Sequence, residues 1–205
     1  MKLKLLSEGM KIGVIIDDSF LASQVMEAAG RHGFNVHWVN DEGELPVWVR
    51  VIIVRGKRPE SWRRVFDIEA YDSVECLLAH VLLSSLRLAS ISRLGVAIDL
   101  GLENGVAVGV DGRVIATGTF RDLDDGIQEA VWLGECIGQR RFTFYLGGLE
   151  GIEDAIDAIK RRAPNSSIII VRDSEDETLT TSAVYGHEFS AIGIYYRGES
   201  MLTNP

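Results

Sequence analysis

The stretch from Val96 to Phe120 constrains the fold more than any other part of the sequence. One apolar run ends at Asp99, a second begins at Gly105, and a third follows the dipeptide Asp111-Gly112. Asp-Gly between two apolar runs is typical of the two-residue type I′ turn of β-hairpins. We therefore predict three consecutive strands with a carboxylate on the first, a platform for a charged group such as a metal ion. The alternative is an ordinary antiparallel meander in which Asp99 only forms a turn.

The first half of the chain predicts a small α/β domain over residues 1–92. Apolar runs indicate strands at 11–17, 34–39 and 48–54, and helical spacing of apolar residues indicates helices at 19–32 and 73–90. Because the strands are almost continuously apolar, we expect a three-layer arrangement with a sheet covered on both faces. A boundary is expected within Ser90–Arg93, without a Pro/Gly linker.

This first half resembles the start of a response-regulator receiver domain, a flavodoxin-like fold. Asp17-Asp18-Ser19 stands in the place of the acidic pair of that family. Val54 and Arg55 occupy the region where the family has its phosphoacceptor Asp. The resemblance therefore implies the fold without the phosphorylation chemistry. The simpler interpretation is that the acids follow a strand and precede a helix.

The second half, residues 93–205, predicts further elements after the three strands. We expect a helix at 126–137, a strand at 141–146, a helix at 150–162, a strand at 167–172 and a last helix or strand at 185–196, followed by a frayed tail from Gly198. This order resembles that of the ribonuclease H-like superfamily, including its RuvC and YqgF (Holliday-junction-resolvase-like) branches. The resemblance implies an α/β domain with a mixed five-stranded sheet.

The segment from Asp176 to Ala183 resembles the DERLTT motif of the YqgF branch, with Thr178 where that family has Arg. The resemblance implies that Glu177 is an active-site carboxylate, and that Glu188, on the closing helix, is the final acid facing Asp99. Hydrolysis of a phosphodiester by two metal ions requires several converging carboxylates. We therefore expect Asp99, Glu177 and Glu188 to be catalytic and to bind Mg²⁺ or Mn²⁺.

A net charge of −9 opposes nucleic-acid binding through a broad electrostatic surface, because such affinity comes from Lys and Arg. Our first hypothesis is a divalent-metal-dependent nuclease or resolvase-like protein that acts on phosphodiester bonds of DNA or RNA, although the net charge disfavours nucleic acid as a possible partner. The charge favours a second hypothesis, a catalytically degenerate module that forms a homodimer or binds a protein partner. A third hypothesis is an ATP-binding protein, because Asp99-Leu100-Gly101 also resembles the opening of the actin/sugar-kinase ATPases. The first half offers no Gly-rich phosphate loop for it.

We expect a cytoplasmic protein with no membrane association. No apolar run approaches the roughly 18 residues that a membrane span needs. The N-terminal apolar stretch is too short for a signal peptide. Cys76 and Cys136 lie inside apolar segments, and we expect both to be reduced core residues.

Overall fold

The computed structural model describes residues 3–7, 9–56, 59, 62, 64–88, 90–148, 150–172 and 186–203. The chain forms two compact units, one of Leu5–Ala89 and one of Met1–Lys4 with Ser90–Pro205. The structural division thus falls after residue 89, and the first four residues belong with the second unit. The assignment of residues 1–92 and 93–205 as separate domains stays a prediction. The chain begins with a short strand, β1 (Lys4–Leu5), which belongs to the sheet of the second unit.

The first unit contains a parallel four-stranded sheet in the order β3-β2-β4-β5. Its elements are β2 (Lys11–Ile15), α1 (Ser19–Arg31), β3 (Asn35–Val39), β4 (Val51–Val54), β5 (Val65–Asp67) and α2 (Val74–Ser85). Local chemistry sets where the helices begin. The Asp18 carboxylate accepts hydrogen bonds from the backbone N–H groups of Phe20 and Leu21, and the Ser73 hydroxyl accepts one from Cys76. The two predicted helices and the three predicted strands of this unit are present, and β5 is a further strand that was not predicted.

One face of this sheet is covered by the connection between β3 and β4, which includes a short 3₁₀ helix at Glu42–Glu44. Leu45 and Val49 of that connection pack against Ile52 and Val54. Gly13 on β2 leaves the space that Leu45 fills, since an added Cβ would lie 2.7 Å from a Leu45 methyl carbon. The sheet thus has an apolar core on this face, closed by residues of the connection.

The second unit contains a six-stranded mixed sheet in the order β1-β8-β7-β6-β9-β10. Its other elements are β6 (Leu94–Asp99), β7 (Asn104–Val110), β8 (Arg113–Phe120), α3 (Leu123–Cys136), β9 (Thr143–Gly147), α4 (Ile152–Arg162), β10 (Ser167–Ile170) and α5 (His187–Thr203). β6, β7 and β8 are antiparallel, whereas β9 and β10 continue from β6 in parallel. The α/β class with a mixed sheet is confirmed. The sheet has six strands rather than five because β1 joins it next to β8.

The turn between β7 and β8 has the predicted geometry. Asp111 and Gly112 both have positive φ, 48° and 80°, as a type I′ turn requires. The Asp111 carboxylate also accepts hydrogen bonds from the backbone N–H groups of Ser92 and Arg93. The turn therefore fixes the start of β6 as well as joining β7 to β8.

Helix α5 packs on the sheet face formed by alternate residues of β6, β7 and β9. The core there combines small strand residues with large helix residues, namely Ala97, Ala107, Tyr145, Val171, Ala191, Ile194 and Tyr195. Glycines at residues 95 and 109 leave room for the Tyr195 ring. The expected frayed tail from Gly198 is wrong, because α5 continues to Thr203 and Gly198 lies against the Tyr145 ring.

The structure bears on two expectations about the cellular environment, membrane association and the state of the cysteines. No described helix is both long and apolar enough to cross a membrane. The expectation that Cys76 and Cys136 are reduced is wrong, because neither is a free thiol.

Candidate active site

A single row of paired residues crosses four strands at the carboxyl end of β6. Asp99, the last residue of β6, pairs with Gly105 on one side and with Gly147 on the other. Gly105 in turn pairs with Thr119 of β8. Asp99 and Thr119 therefore lie on the same sheet face, two strand spacings or about 10 Å apart.

The first residue of α5 lies on this row. A Cβ added at Gly105 would overlap the carbonyl carbon and oxygen of His187, so the helix begins directly on the β7 backbone. The Nδ1 atom of His187 lies 3.3 Å from Oδ2 of Asp99, and the Asp99 side chain is only 14% exposed. The Asp99 carboxylate is thus largely enclosed, with an imidazole as a direct neighbour.

Glu188, the next residue of α5, reaches β8 on the other side of β7. Its Oε1 accepts a hydrogen bond from the Thr119 hydroxyl, and its Oε2 accepts one from the Thr117 hydroxyl, each at 3.4 Å. Thr117 pairs with Ala107, one position further along the same sheet face. Two threonines on alternate positions of one strand therefore hold one carboxylate.

The structure thus places two of the three predicted site residues at the same end of the same face. Asp99 and Glu188 lie on opposite sides of Gly105, with the His187 backbone between them. The third, Glu177, lies outside the described residues. Among the described residues, no group of three or more His, Cys, Asp or Glu side chains is placed to hold a metal ion. Convergence of the acids on a metal stays a prediction.

The far part of α5 is fixed by a buried polar network. The Tyr145 hydroxyl donates a 2.5 Å hydrogen bond to Oε1 of Glu199, and Nη2 of Arg93 lies 2.7 Å from Oε2 of Glu199. Burial raises the pKa of Tyr145 well above its usual range. The hydrogen bond to Glu199 and the negative charge of Glu199 raise it further. Burial and the Glu199 charge also raise the pKa of Tyr195. This network holds α5 on the sheet and so determines where His187 and Glu188 lie.

Sequence reasoning assigned no role to His187, Thr117, Thr119, Tyr145 or Glu199. Strand periodicity alone would have misplaced the two threonines. Counting back along the hairpin from its type I′ turn pairs Thr117 with Val106, on the opposite face from Asp99. A β-bulge at Val108/Gly109 shifts the register by one residue and brings Thr117 and Thr119 to the face of Gly105. The contacts of His187 and Glu199 depend on how α5 packs, which no local pattern specifies.

Asp18, in the acidic pair of the first unit, has a structural role, and its neighbours include several other acids. They lie at the carboxyl ends of β2 and β3, around a cleft of about 580 Å³ lined by Ile15, Asp17, Asp18, Asn40, Asp41, Glu42, Arg55 and Pro59. Asp18 caps α1, and its other oxygen lies 3.3 Å from Nη1 of Arg55. Arg55 follows β4, and the receiver-like resemblance of this unit stays a prediction.

Comparisons with known proteins give little further information. No protein-family model matches the chain, and no curated protein matches it. Among solved structures, the chain is similar to the Marinitoga piezophila Argonaute in complex with 5′ OH guide RNA and target DNA, with 11% sequence identity and a TM-score of 0.35. The match covers 86% of this chain and 42% of that chain. This chain thus spans less than half of the Argonaute, and a TM-score this low carries no argument about fold or function.

Proposed function

We propose that the second unit is a divalent-metal-dependent nuclease or resolvase-like enzyme that hydrolyses phosphodiester bonds of DNA or RNA. Asp99, Glu188 and Glu177 would be its catalytic carboxylates and the ligands of Mg²⁺ or Mn²⁺. The observation that most supports this proposal is the common position of Asp99 and Glu188, at one end of one sheet face on either side of Gly105.

The donor types of this site fit a hard cation. Mg²⁺ prefers carboxylate oxygens and keeps several waters, so two or three protein ligands suffice. Glu188 retains acceptor capacity, because a carboxylate has about four lone-pair positions and the threonines use two of them. When bound, the metal would activate a water and stabilise the leaving oxygen.

The chain itself supplies the rigid frame that such chemistry needs. Asp99 is held in the register of a central strand, between two paired neighbours. Glu188 is held by the start of α5, whose far part is fixed through Glu199. Sites built on strands and helices hold their groups more precisely than sites built on loops.

Cleavage assays would test this proposal. Labelled branched DNA, duplex DNA, and single- and double-stranded RNA would each be incubated with Mn²⁺ or Mg²⁺. We expect cleavage by the native protein, loss of cleavage in Asp99→Asn, and unchanged cleavage in Asp157→Asn, an exposed acid on α4. We also expect Mn²⁺ to raise the melting temperature of the native protein but not of Asp99→Asn, because a ligand that binds only the folded state stabilises it. Absence of both cleavage and metal stabilisation would rule the enzyme out.

A second candidate is a catalytically degenerate module that forms a homodimer or binds a protein partner. The Asp99–His187 contact favours it, because the imidazole already occupies a position 3.3 Å from one oxygen of the carboxylate that would otherwise bind the metal ion. The net charge of −9 favours it too, since it disfavours nucleic acid as a partner. Sedimentation at several protein concentrations, with and without Mn²⁺, would distinguish the two. A concentration-dependent dimer that is insensitive to the metal would support this candidate.

The cytoplasmic location stays a prediction. One of its arguments, the reduced state of Cys76 and Cys136, is wrong, as neither is a free thiol. Fractionation of cells followed by immunoblotting would test the location directly.

A further inference from the structure

We infer that Thr117 and Thr119 are positioning residues, which together hold the Glu188 carboxylate in the orientation that metal binding requires. Each hydroxyl contacts a different carboxylate oxygen, at 3.4 Å. This inference rests on the proposed function, because Glu188 is the metal ligand that the threonines would orient. It adds two residues of β8 to a site whose described carboxylates lie on β6 and α5.

The placement of the two hydroxyls follows from the strand. Residues two apart on a strand point to the same face, so Thr117 and Thr119 both face the sheet side on which α5 lies. Thr117 is only 3% exposed, and a buried hydroxyl needs a hydrogen-bond partner. A pair of such donors restricts both the position and the rotation of a carboxylate, which a single donor does not.

Glu188 needs such support because its side chain is long. A glutamate in the first turn of a helix, with three rotatable bonds, loses considerable rotamer freedom when it is fixed. The β8 hydroxyls hold it towards the sheet, over the row that contains Asp99. Groups that hydrogen-bond to a metal ligand orient it in this way, and their removal typically weakens metal affinity by about 10- to 100-fold.

The long hydrogen bonds agree with this role. A hydroxyl–carboxylate hydrogen bond is usually about 2.7 Å, whereas both of these are 3.4 Å. Contacts of this length are weak, so they orient the carboxylate without fixing it rigidly. The threonines thus restrict Glu188 while leaving it room to move towards a cation.

The test replaces both threonines by valine, which keeps the shape and removes the hydroxyls. The paired variant Thr117→Ser/Thr119→Ser keeps the hydroxyls and removes the methyl groups. Thr143→Val, at the other end of the same sheet face, is the matched control. Two quantities are measured on the full chain: the ¹³C signal of the Glu188 carboxylate in metal-free protein, assigned with Glu188→Gln, and the affinity for Mn²⁺ by calorimetry.

We expect the double valine variant to shift the Glu188 signal and to weaken Mn²⁺ binding by about 10- to 100-fold. The double serine variant and Thr143→Val should retain the native values of both. A native Glu188 signal in the double valine variant would overturn the inference, and so would a native Mn²⁺ affinity. If the double variant does not fold, Thr119→Val alone, at a half-buried residue, gives the same measurements.

The experiment also separates this inference from the proposed function. If the native protein does not bind Mn²⁺ but the valine variant still shifts the Glu188 signal, the threonines do position the carboxylate and the metal-dependent enzyme is ruled out. If the native protein binds Mn²⁺ and the valine variant binds it equally well, the enzyme remains and the positioning role is overturned.

Discussion

The carbonyl group of His187 lies directly over Gly105, in the space that a side chain at residue 105 would fill. This contact sets the height of the first turn of α5 above the sheet. Glu188 follows His187 and reaches across to Thr119, the strand partner of Gly105. The missing side chain at one glycine therefore determines where two candidate functional residues lie.

We predict that Gly105→Ala lowers the free energy of unfolding by about 1–3 kcal/mol, the usual cost of overpacking a core. The overlapping atoms belong to the backbone of His187, which cannot rotate away as a side chain can. Urea denaturation would measure the change. Gly30→Ala is the control, because no atom lies within 4 Å of its added Cβ and alanine favours the helix of α1. An equal free energy of unfolding in the native protein and in Gly105→Ala would contradict the close contact.

Removal of the Tyr145 hydroxyl should have two effects. Tyr145→Phe removes the hydrogen bond that the buried Glu199 carboxylate accepts, so we expect the free energy of unfolding to fall by about 1.5–3 kcal/mol at pH 7. The pKa of Tyr145 is raised in the folded state, first by burial and then by Glu199. The stability linked to this group is therefore fully present below the unfolded pKa of about 10 and is lost as the pH rises from there towards the folded pKa.

Denaturation curves from pH 7 to 11 would test both effects. Tyr145→Phe should be less stable at pH 7 and should lose less further stability above pH 10 than the native protein. Tyr196→Phe, at a half-exposed ring on α5, is the control and should follow the native curve. Parallel pH profiles for the native protein and Tyr145→Phe would contradict the assignment.

The packing of Leu45 on Gly13 in the first unit can be tested by a double-mutant cycle. Gly13→Ala should cost about 1–3 kcal/mol, because the added Cβ would lie 2.7 Å from a Leu45 methyl carbon. Leu45→Ala should cost about 2–5 kcal/mol by leaving a cavity. Since the smaller side chain at 45 makes room for the new methyl group, the double variant should cost about 0.5–3 kcal/mol less than the sum. Strict additivity would mean that Leu45 does not pack on Gly13.

Two substitutions at Asp111 should differ sharply. Asp111→Asn keeps a residue that tolerates positive φ and an oxygen for the Ser92 and Arg93 N–H groups, so we expect a cost below about 1 kcal/mol. Asp111→Ala loses both and should cost about 2 kcal/mol, from backbone strain and unsatisfied donors. Thermal denaturation would compare them. Equal melting temperatures would contradict the dual role of this side chain.

Locally coded features could be predicted from the sequence. The type I′ turn lies where Asp111-Gly112 indicated, and the Asp18 and Ser73 caps likewise depend on groups only a few residues apart. β1 and β5 were not predicted because two or three residues show no periodicity. Gly198 suggested the end of order, yet it faces the Tyr145 ring and the helix continues.

The candidate site was less predictable than the fold. Asp99 could be identified because a polar residue at the end of an apolar strand is a local signal. The roles of His187, Thr117 and Thr119 arise from contacts between residues 69 to 88 positions apart, which depend on strand register and on the packing of α5. Such contacts leave no pattern within a single segment of sequence.

The separation of these contacts also bears on how the protein folds. β6, β7 and β8 are joined by short connections, so this part of the sheet can form through nearby contacts, which form rapidly. The Asp99–His187 contact closes a loop of 88 residues, whose entropy cost must be met before α5 packs. We therefore expect the antiparallel strands to pair before α5 covers their glycine-lined face.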